Sequence, residues 1–301
     1  MESFRLALVG AGRMGRTHLA AIDGSDEVSI TGVVEPDPNE ELLATGIPVF
    51  GSLDELLGRV DVDGALLAVP TDQHAAVLAA VMEAGLPVLC EKPCGLTSAE
   101  ATSNAELAER TGLVLQIAYW RRFVPSLVGL RRQLMEGELG EILAVNCSQW
   151  DLAPPSEEFR NSSGGILADM GVHEFDQIRW LTGQEFTTMH TARTSARGEK
   201  HSDPDCAQIV AALDGGSTAM ISIGRFHPAG DSVKVDVYGT KGTANDSILH
   251  PVGGEAVFHQ ALRAQAEDFA RLVRTGTGSG ARAADAVAAL RAAELAASEG
   301  R

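Results

Sequence analysis

The chain has 301 residues, 45% of them hydrophobic and 22% charged, and its 24 Lys and Arg against 41 Asp and Glu leave a formal net charge of −17. This is the composition of a globular protein with ample core in one large or two medium domains, and its acidity argues against nucleic acid and anionic membrane surfaces as partners, because both call for a basic face. With no run near the roughly 20 uncharged apolar residues of a bilayer span, no signal-like start and four cysteines in all, the expected setting is a reduced cytoplasm.

From Phe4 to about Gln116, short apolar runs alternate with helical patterns. Phe4–Val9, Val28–Val34, Gly64–Val69, Leu86–Cys90 and Leu113–Ala118 read as strands, with helices over Met14–Ile22, Gln73–Ala84 and Ala99–Arg110 between them. Unbroken apolar strands alternating with helices predict a parallel sheet covered on both faces. Beyond Tyr119 the rhythm changes. Pro125–Glu136 and Asp169–Leu181 read as helices, while Ile142–Gln149, Glu185–Thr194, Ala207–Leu213, Ser217–Phe226 and Val233–Gly239 read as strands. Asp214-Gly215-Gly216 marks a tight turn. Helices over Phe258–Val273 and Ala283–Ser298 close the chain, joined by a linker at Thr275–Gly280. The expected architecture is α/β: a doubly wound parallel sheet over residues 1–118, then an α+β domain with a large open, mostly antiparallel sheet over 119–301.

Gly10-Ala11-Gly12-Arg13-Met14-Gly15 fits G-x-G-x-x-G between a strand and a helix. Gly10 permits the tight turn, Gly12 admits a pyrophosphate close to the backbone, and Gly15 lets helix and strand pack. The helix N-terminus supplies free amides and a favourable dipole. Glu35 ends the second strand, where a carboxylate accepts hydrogen bonds from the adenosine ribose. A glycine-rich turn and a solvated glutamate are the alternative, but strand, helix and Glu35 in register favour a dinucleotide. A carboxylate at Glu35, followed by Pro36, Asp37 and Pro38 with no Arg or Lys, predicts NAD over NADP.

Cys90-Glu91-Lys92-Pro93 follows a buried strand at the carboxyl edge of the sheet, where open α/β sheets bind ligands. Lys92 is then expected near the nicotinamide; a surface lysine before a loop proline is the plain alternative. In the second half, Gly164-Gly165-Ile166-Leu167-Ala168-Asp169-Met170-Gly171-Val172-His173-Glu174-Phe175-Asp176 puts Asp169 and His173 four apart and Asp176 three further on. On one helix they share a side. Two carboxylates about an imidazole make a proton-transfer unit, or a helix-stabilising polar stripe. Three ligands from one helix make a poor metal site, and no metal is expected.

Taken together, Gly10–Gly15, Glu91-Lys92-Pro93 and Gly164-Gly-x-x-x-Asp169-x-x-x-His173-x-x-Asp176 resemble the Gfo/Idh/MocA oxidoreductases in order and separation. Ala118-Tyr119-Trp120-Arg121-Arg122-Phe123 and Val237-Tyr238-Gly239-Thr240-Lys241-Gly242 are similar to further stretches of that family. The resemblance covers essentially the whole chain and implies a Rossmann domain that binds NAD. It implies Lys92 as the catalytic lysine on the reacting oxygen, His173 as general acid/base, Asp169 as the carboxylate that positions substrate, and Asp176 as a further carboxylate beside it. It implies Pro70, Thr71 and His74, in Pro70-Thr71-Asp72-Gln73-His74, as a loop bordering the cofactor together with Glu91, Arg13 and Met14.

Ser148-Gln149-Trp150-Asp151-Leu152-Ala153-Pro154-Pro155 and Arg121-Arg122-Phe123 resemble the inositol 2-dehydrogenase branch, whereas Val124 and Ala229-Gly230-Asp231 depart from it. The expected substrate is a polyol or sugar, with Arg122, Trp150, His227 and Asp231 as rim residues. The alternatives are reduction of another ketosugar or of an imine, or a non-catalytic nucleotide sensor on the same fold. The open sheet and the resemblance imply a homodimer or homotetramer through the second domain.

Overall fold

The computed structural model describes residues 2–195, 203–249 and 254–298. The chain forms two compact units: Met1–Gly95 with Ala99–Trp120 and His259–Ala286, and Leu96–Ser98 with Arg121–Phe258 and Val287–Arg301. Among the described residues no helix is long and apolar enough to cross a membrane.

In the first unit six parallel strands, β1 (Phe4–Val9), β2 (Val28–Val34), β3 (Val49–Phe50), β4 (Gly64–Leu67), β5 (Val88–Cys90) and β6 (Leu115–Ile117), stand in the order β3-β2-β1-β4-β5-β6. This is the doubly wound Rossmann order, which reverses between β1 and β4 and opens a crevice at their carboxyl ends. All of β4, β5 and β6 is buried, as is β1 apart from the half-buried Arg5, so both faces are covered and the strands read as continuous apolar runs. Leu6, Leu8, Leu66 and Leu89 meet Ala266, Phe269 and Ala270 of the helix Gly254–Thr275 in one core. Phe4 and Phe269 pack edge to face at 5.9 Å between centroids.

The second unit is built on β7 (Ile142–Trp150), β8 (Phe186–Thr194), β9 (Cys206–Leu213), β10 (Thr218–Gly224), β11 (Ser232–Gly239) and β12 (Thr243–Leu249), in the order β12-β11-β7-β10-β9-β8. Every neighbouring pair is antiparallel except β7 with β10. One face, carrying Val145, Cys147, Ile209, Ile221 and Val235, is buried. The helix Val172–Thr182 lies on it, with Gln177 Nε2 3.2 Å from Cys147 Sγ. On the other face the register aligns His190, Val210, Met220, Asn146 and Asp236 in one row across five strands. Val210 and Met220 are there more than half exposed.

The parallel and open sheets stand as expected, and most elements agree to within one or two residues. Three differences have physical causes. The helices Glu40–Ala44 and Leu53–Leu57 and the two-residue strand β3 are too short to show a period. β12 is the edge strand Thr-Ala-Asn-Asp-Ser-Ile-Leu, whose polar residues hide its pairing with β11. The partition at residue 118 does not anticipate the return of His259–Ala286 to the first unit. There Ala281–Arg282 forms β13, antiparallel to β6, in the two residues between the expected linker and the closing helix. Asp268 holds that connection by accepting the N–H groups of Ser279 (2.9 Å) and Gly280 (2.9 Å).

Phe269 is fully buried against Phe4 in a core that local sequence does not announce. Phe269→Ala is expected to destabilise the first unit by about 3–5 kcal/mol, the usual cost of deleting a core aromatic, as measured by urea denaturation.

Candidate active site

The loop after β1 enters the helix Arg13–Ile22 through Gly12, its N-cap. Gly10 has φ +91°, and a Cβ there would lie 2.7 Å from the Ala68 carbonyl oxygen. A Cβ on Gly15 would collide with the Gly10 carbonyl. At Gly12, by contrast, a Cβ meets nothing within 4 Å, and no side chain caps the helix. Uncapped amides facing open space suit a pyrophosphate. Exposed Arg13 and half-buried Met14 form the first helical turn. Glu35 accepts the Ala11 N–H at 2.8 Å through Oε2 and the Asp37 N–H at 3.3 Å through Oε1, so its carboxylate stands against the glycine loop. The residues present therefore fit a dinucleotide, the glycine loop holding phosphate and Glu35 the ribose.

At the end of β5, Glu91 is buried and Lys92 half-buried. Glu91 Oε1 lies 2.7 Å from Nε2 of fully buried His18, and its Oε2 accepts the Lys92 backbone N–H at 3.1 Å. Burial alone would raise the Glu91 pKa, but the hydrogen bond and charge of His18, with Lys92 beside it, outweigh burial and hold it below the usual glutamate range. Thr71–Gln73 forms a single 3₁₀ turn preceded by exposed Pro70, with Thr71 half-buried. His74 is 1% exposed, its Nδ1 2.7 Å from the Pro93 carbonyl oxygen and its Nε2 2.8 Å from that of Val69. Burial, the largest influence, lowers its pKa, while the two carbonyls oppose this. His74 and Glu91, expected at the cofactor, instead use these polar atoms within the protein: His74 ties the loops after β4 and β5 together, and Glu91 anchors the backbone of Lys92.

In the second unit the expected single helix over Asp169–Leu181 is two pieces, a wide π turn over Leu167–Gly171 and the α-helix Val172–Thr182. Gly164 (φ +79°) and Gly165 (φ +82°) start the turn in a conformation closed to other residues. Asp169 and His173 are therefore not four apart on one regular helix; the carboxylate sits in the turn and the imidazole in the first turn of the helix, each 8% exposed. Such π turns are frequent at functional sites.

Asp176, read as a substrate carboxylate, faces Arg122, read as a residue of the substrate rim. Arg122 Nε and Nη2 donate to the two Asp176 oxygens at 2.9 and 2.5 Å. Both are buried, and two buried charges persist only when paired. Trp150 departs from its expected place. Strand alternation puts Gln149 on the helix-covered face, where it accepts from Arg121 at 2.7 Å, and sends Trp150 to the open face, where its Nε1 donates to Ser222 at 3.0 Å. Asp231 accepts the Leu152 N–H at 2.7 Å, and His227 Nδ1 bonds the Gly230 carbonyl, so both brace loops.

Residues outside the motifs complete the arrangement. Arg121 bonds Glu174 at 2.8 Å and Gln177 at 3.1 Å, with Glu174 fully buried and its pKa raised by burial against the pull of Arg121. His18, Arg160, Asp203, Asp205 and Arg225 carry no spacing signal. Only the rarity of buried charge marks them, and the sequence does not display burial.

A dinucleotide cradle in one unit, and in the other a buried carboxylate followed by an imidazole, are the equipment of an NAD-dependent oxidoreductase. The chain belongs to the Gfo/Idh/MocA family: residues 4–119 match its oxidoreductase domain with the NAD-binding Rossmann fold, and residues 128–245 match its C-terminal domain. It is 47% identical over 300 residues to the rhizopine catabolism protein MocA of Rhizobium meliloti, covering 98% of this chain and 95% of that one. It is 30% identical over 294 residues to the myo-inositol dehydrogenase Hyg17 of Streptomyces leeuwenhoekii, covering 90% and 89%. In fold it is similar to the scyllo-inositol dehydrogenase of Lactobacillus casei crystallised with NAD(H) and scyllo-inositol, with a TM-score of 0.89, 22% identity and coverage of 99% and 97%.

Because the folded protein lowers the Glu91 pKa, the stability this group contributes is present above the usual glutamate range, about pH 4.3, and is lost as pH falls through the lower folded value. Glu91→Gln is expected to lower the melting temperature at pH 7, and the gap from wild type should close between pH 5 and pH 3. Thermal denaturation across that range checks this.

Proposed function

We propose that the chain oxidises a secondary hydroxyl of a cyclic polyol or sugar, in the manner of an inositol 2-dehydrogenase, with NAD as acceptor. The observation that carries this is the joint presence of Lys92, held through its backbone by the His18–Glu91 pair, and of Asp169 and His173 on a buried turn and helix. A sensor that had lost the chemistry would not need either. The names of similar proteins support the substrate class: inositol 2-dehydrogenase in Rhizobium meliloti, 28% identical over 259 residues, and scyllo-inositol 2-dehydrogenase (NAD(+)) in Bacillus subtilis, 26% identical over 296.

Bound NAD supplies the hydride acceptor. Gly12 gives it backbone approach on a turn that Gly10 and Gly15 allow, and Glu35 holds its ribose hydroxyls. His173 takes the hydroxyl proton. The ammonium of Lys92 stabilises the alkoxide character that develops on the same oxygen, and Asp169 orients the hydroxyl. Paired Arg122 and Asp176 shape the substrate side as a neutral polar wall. In the reverse direction His173 returns the proton to a ketone, so the same groups serve either direction.

The test is NADH formation over a panel of inositols and aldoses. Wild type is expected to turn over at least one, and Lys92→Ala is expected to lower kcat/KM about 10²- to 10⁴-fold, the usual range for losing a group that stabilises the transition state. Undiminished turnover in Lys92→Ala would remove the role given to that lysine.

The chain also forms a homodimer or homotetramer through the open sheet face. Val210 and Met220 are more than half exposed there, in a concavity of about 630 Å³ lined further by Asn146, His190, Gln208 and Asp236. Exposed apolar side chains rimmed by polar ones mark interaction surfaces. Met220→Asp is expected to reduce the particle to the mass of one chain by light scattering at micromolar concentration, from a wild-type mass of two or four.

A further inference from the structure

Along β10 the covered face carries Ala219, Ile221 and Ile223, all 0–1% exposed. Two residues on, the alternation continues with Arg225, fully buried. A guanidinium in that position needs anionic partners, and among the described residues it has Asp203 and Asp169. Nη2 lies 2.8 Å from Asp203 Oδ2 and Nη1 lies 3.4 Å from Asp169 Oδ2.

Asp203 reaches the same turn by a second route. Its Oδ1 accepts the Ile166 N–H at 2.7 Å, just before the π turn begins. Gly165 leaves room for this, since a Cβ there would come within 3.0 Å of that oxygen. Asp203 and its neighbour are themselves held: Arg160 Nη2 is 2.5 Å from Asp205 Oδ1, Arg160 Nη1 is 3.3 Å from the Asp203 carbonyl, and the Arg225 N–H donates to the Asp205 carbonyl at 2.9 Å. The turn that presents Asp169 is thus gripped twice, at its backbone by Asp203 and at its carboxylate by Arg225.

We propose that Arg225, with Asp203 as its counter-ion, is a positioning residue that sets the orientation of the Asp169 carboxylate for the reaction. This rests on the reading above, in which Asp169 orients the reacting hydroxyl. The planar guanidinium spans two carboxylates with separate nitrogens, whereas a lysine at 225 keeps the charge as a single point and loses the span. The cost therefore falls on alignment, where a displacement near 1 Å is worth about 10²-fold in rate.

The experiment is a double-mutant cycle on NADH formation, with the best polyol of the panel. Arg225→Lys is expected to lower kcat about 10- to 100-fold with the KM for NAD unchanged. Made in an Asp169→Asn background, the same change is expected to cost no further kcat, because the group it acts through is already lost. Asp203→Asn, which keeps an acceptor for Ile166 but removes the counter-ion, is expected to show the same non-additivity, and it replaces Arg225→Lys should melting curves show that variant unfolded. Wild-type kcat in both single variants, or losses that add fully in the Asp169→Asn background, overturns the role of Arg225 and leaves the enzyme reading intact. No turnover by wild type across the panel overturns the enzyme reading, and this assignment with it.

Discussion

A buried ion must be paired, and the candidate chemistry of this chain is mounted on that constraint. His18–Glu91 stands behind Lys92. Arg225–Asp203 stands behind Asp169. Arg121–Glu174 and Arg122–Asp176 brace the helix that carries His173. The guanidinium–carboxylate pairs are directional because their members are hydrogen-bonded as well as charged, His18–Glu91 is directional through its hydrogen bond, and each is costly to break by removing one partner. An apolar core fills space equally well in many ways. A paired guanidinium and carboxylate hold one geometry, which suits groups that must meet a substrate within a fraction of an ångström.

The net charge of −17 belongs to a different scale. A dinucleotide is an anion, and what this acidic protein offers it is local: uncapped backbone amides at Gly12 and the dipole behind them. Glu35 adds a negative charge at the same loop, where it is held by accepting the Ala11 N–H. The overall acidity is a property of outer surfaces, where it favours solubility.

What was legible in the sequence follows from what is periodic or chemically unusual. The strands β1, β2, β4, β5 and β6 are apolar runs between glycines and prolines, and Gly10–Gly15 is a spacing with few other uses. The π turn was not legible, because Leu167–Gly171 has ordinary helical composition and its width is imposed from the double-glycine start and from Asp203, 37 residues from its Ile166 partner. Trp150 reads as a rim residue because its stretch resembles the inositol 2-dehydrogenase branch, and one step of strand alternation assigns it to the other face of the sheet from Gln149. The bonds of His74 to the Pro93 and Val69 carbonyls were not legible either. In each case the deciding fact is a neighbour distant in sequence, and spacing alone does not carry it.

The path of the chain has a consequence for how the protein is made. Phe4 begins the first strand and its ring partner is Phe269, while the edge of the same sheet is completed by Ala281–Arg282. As residues leave the ribosome, the first unit has its glycine loop early and its last core helix and edge strand only after every strand of the second sheet has been synthesised. The six-stranded sheet of the second unit, nested between those pieces, is complete in sequence before then, so the sheet that starts first closes second.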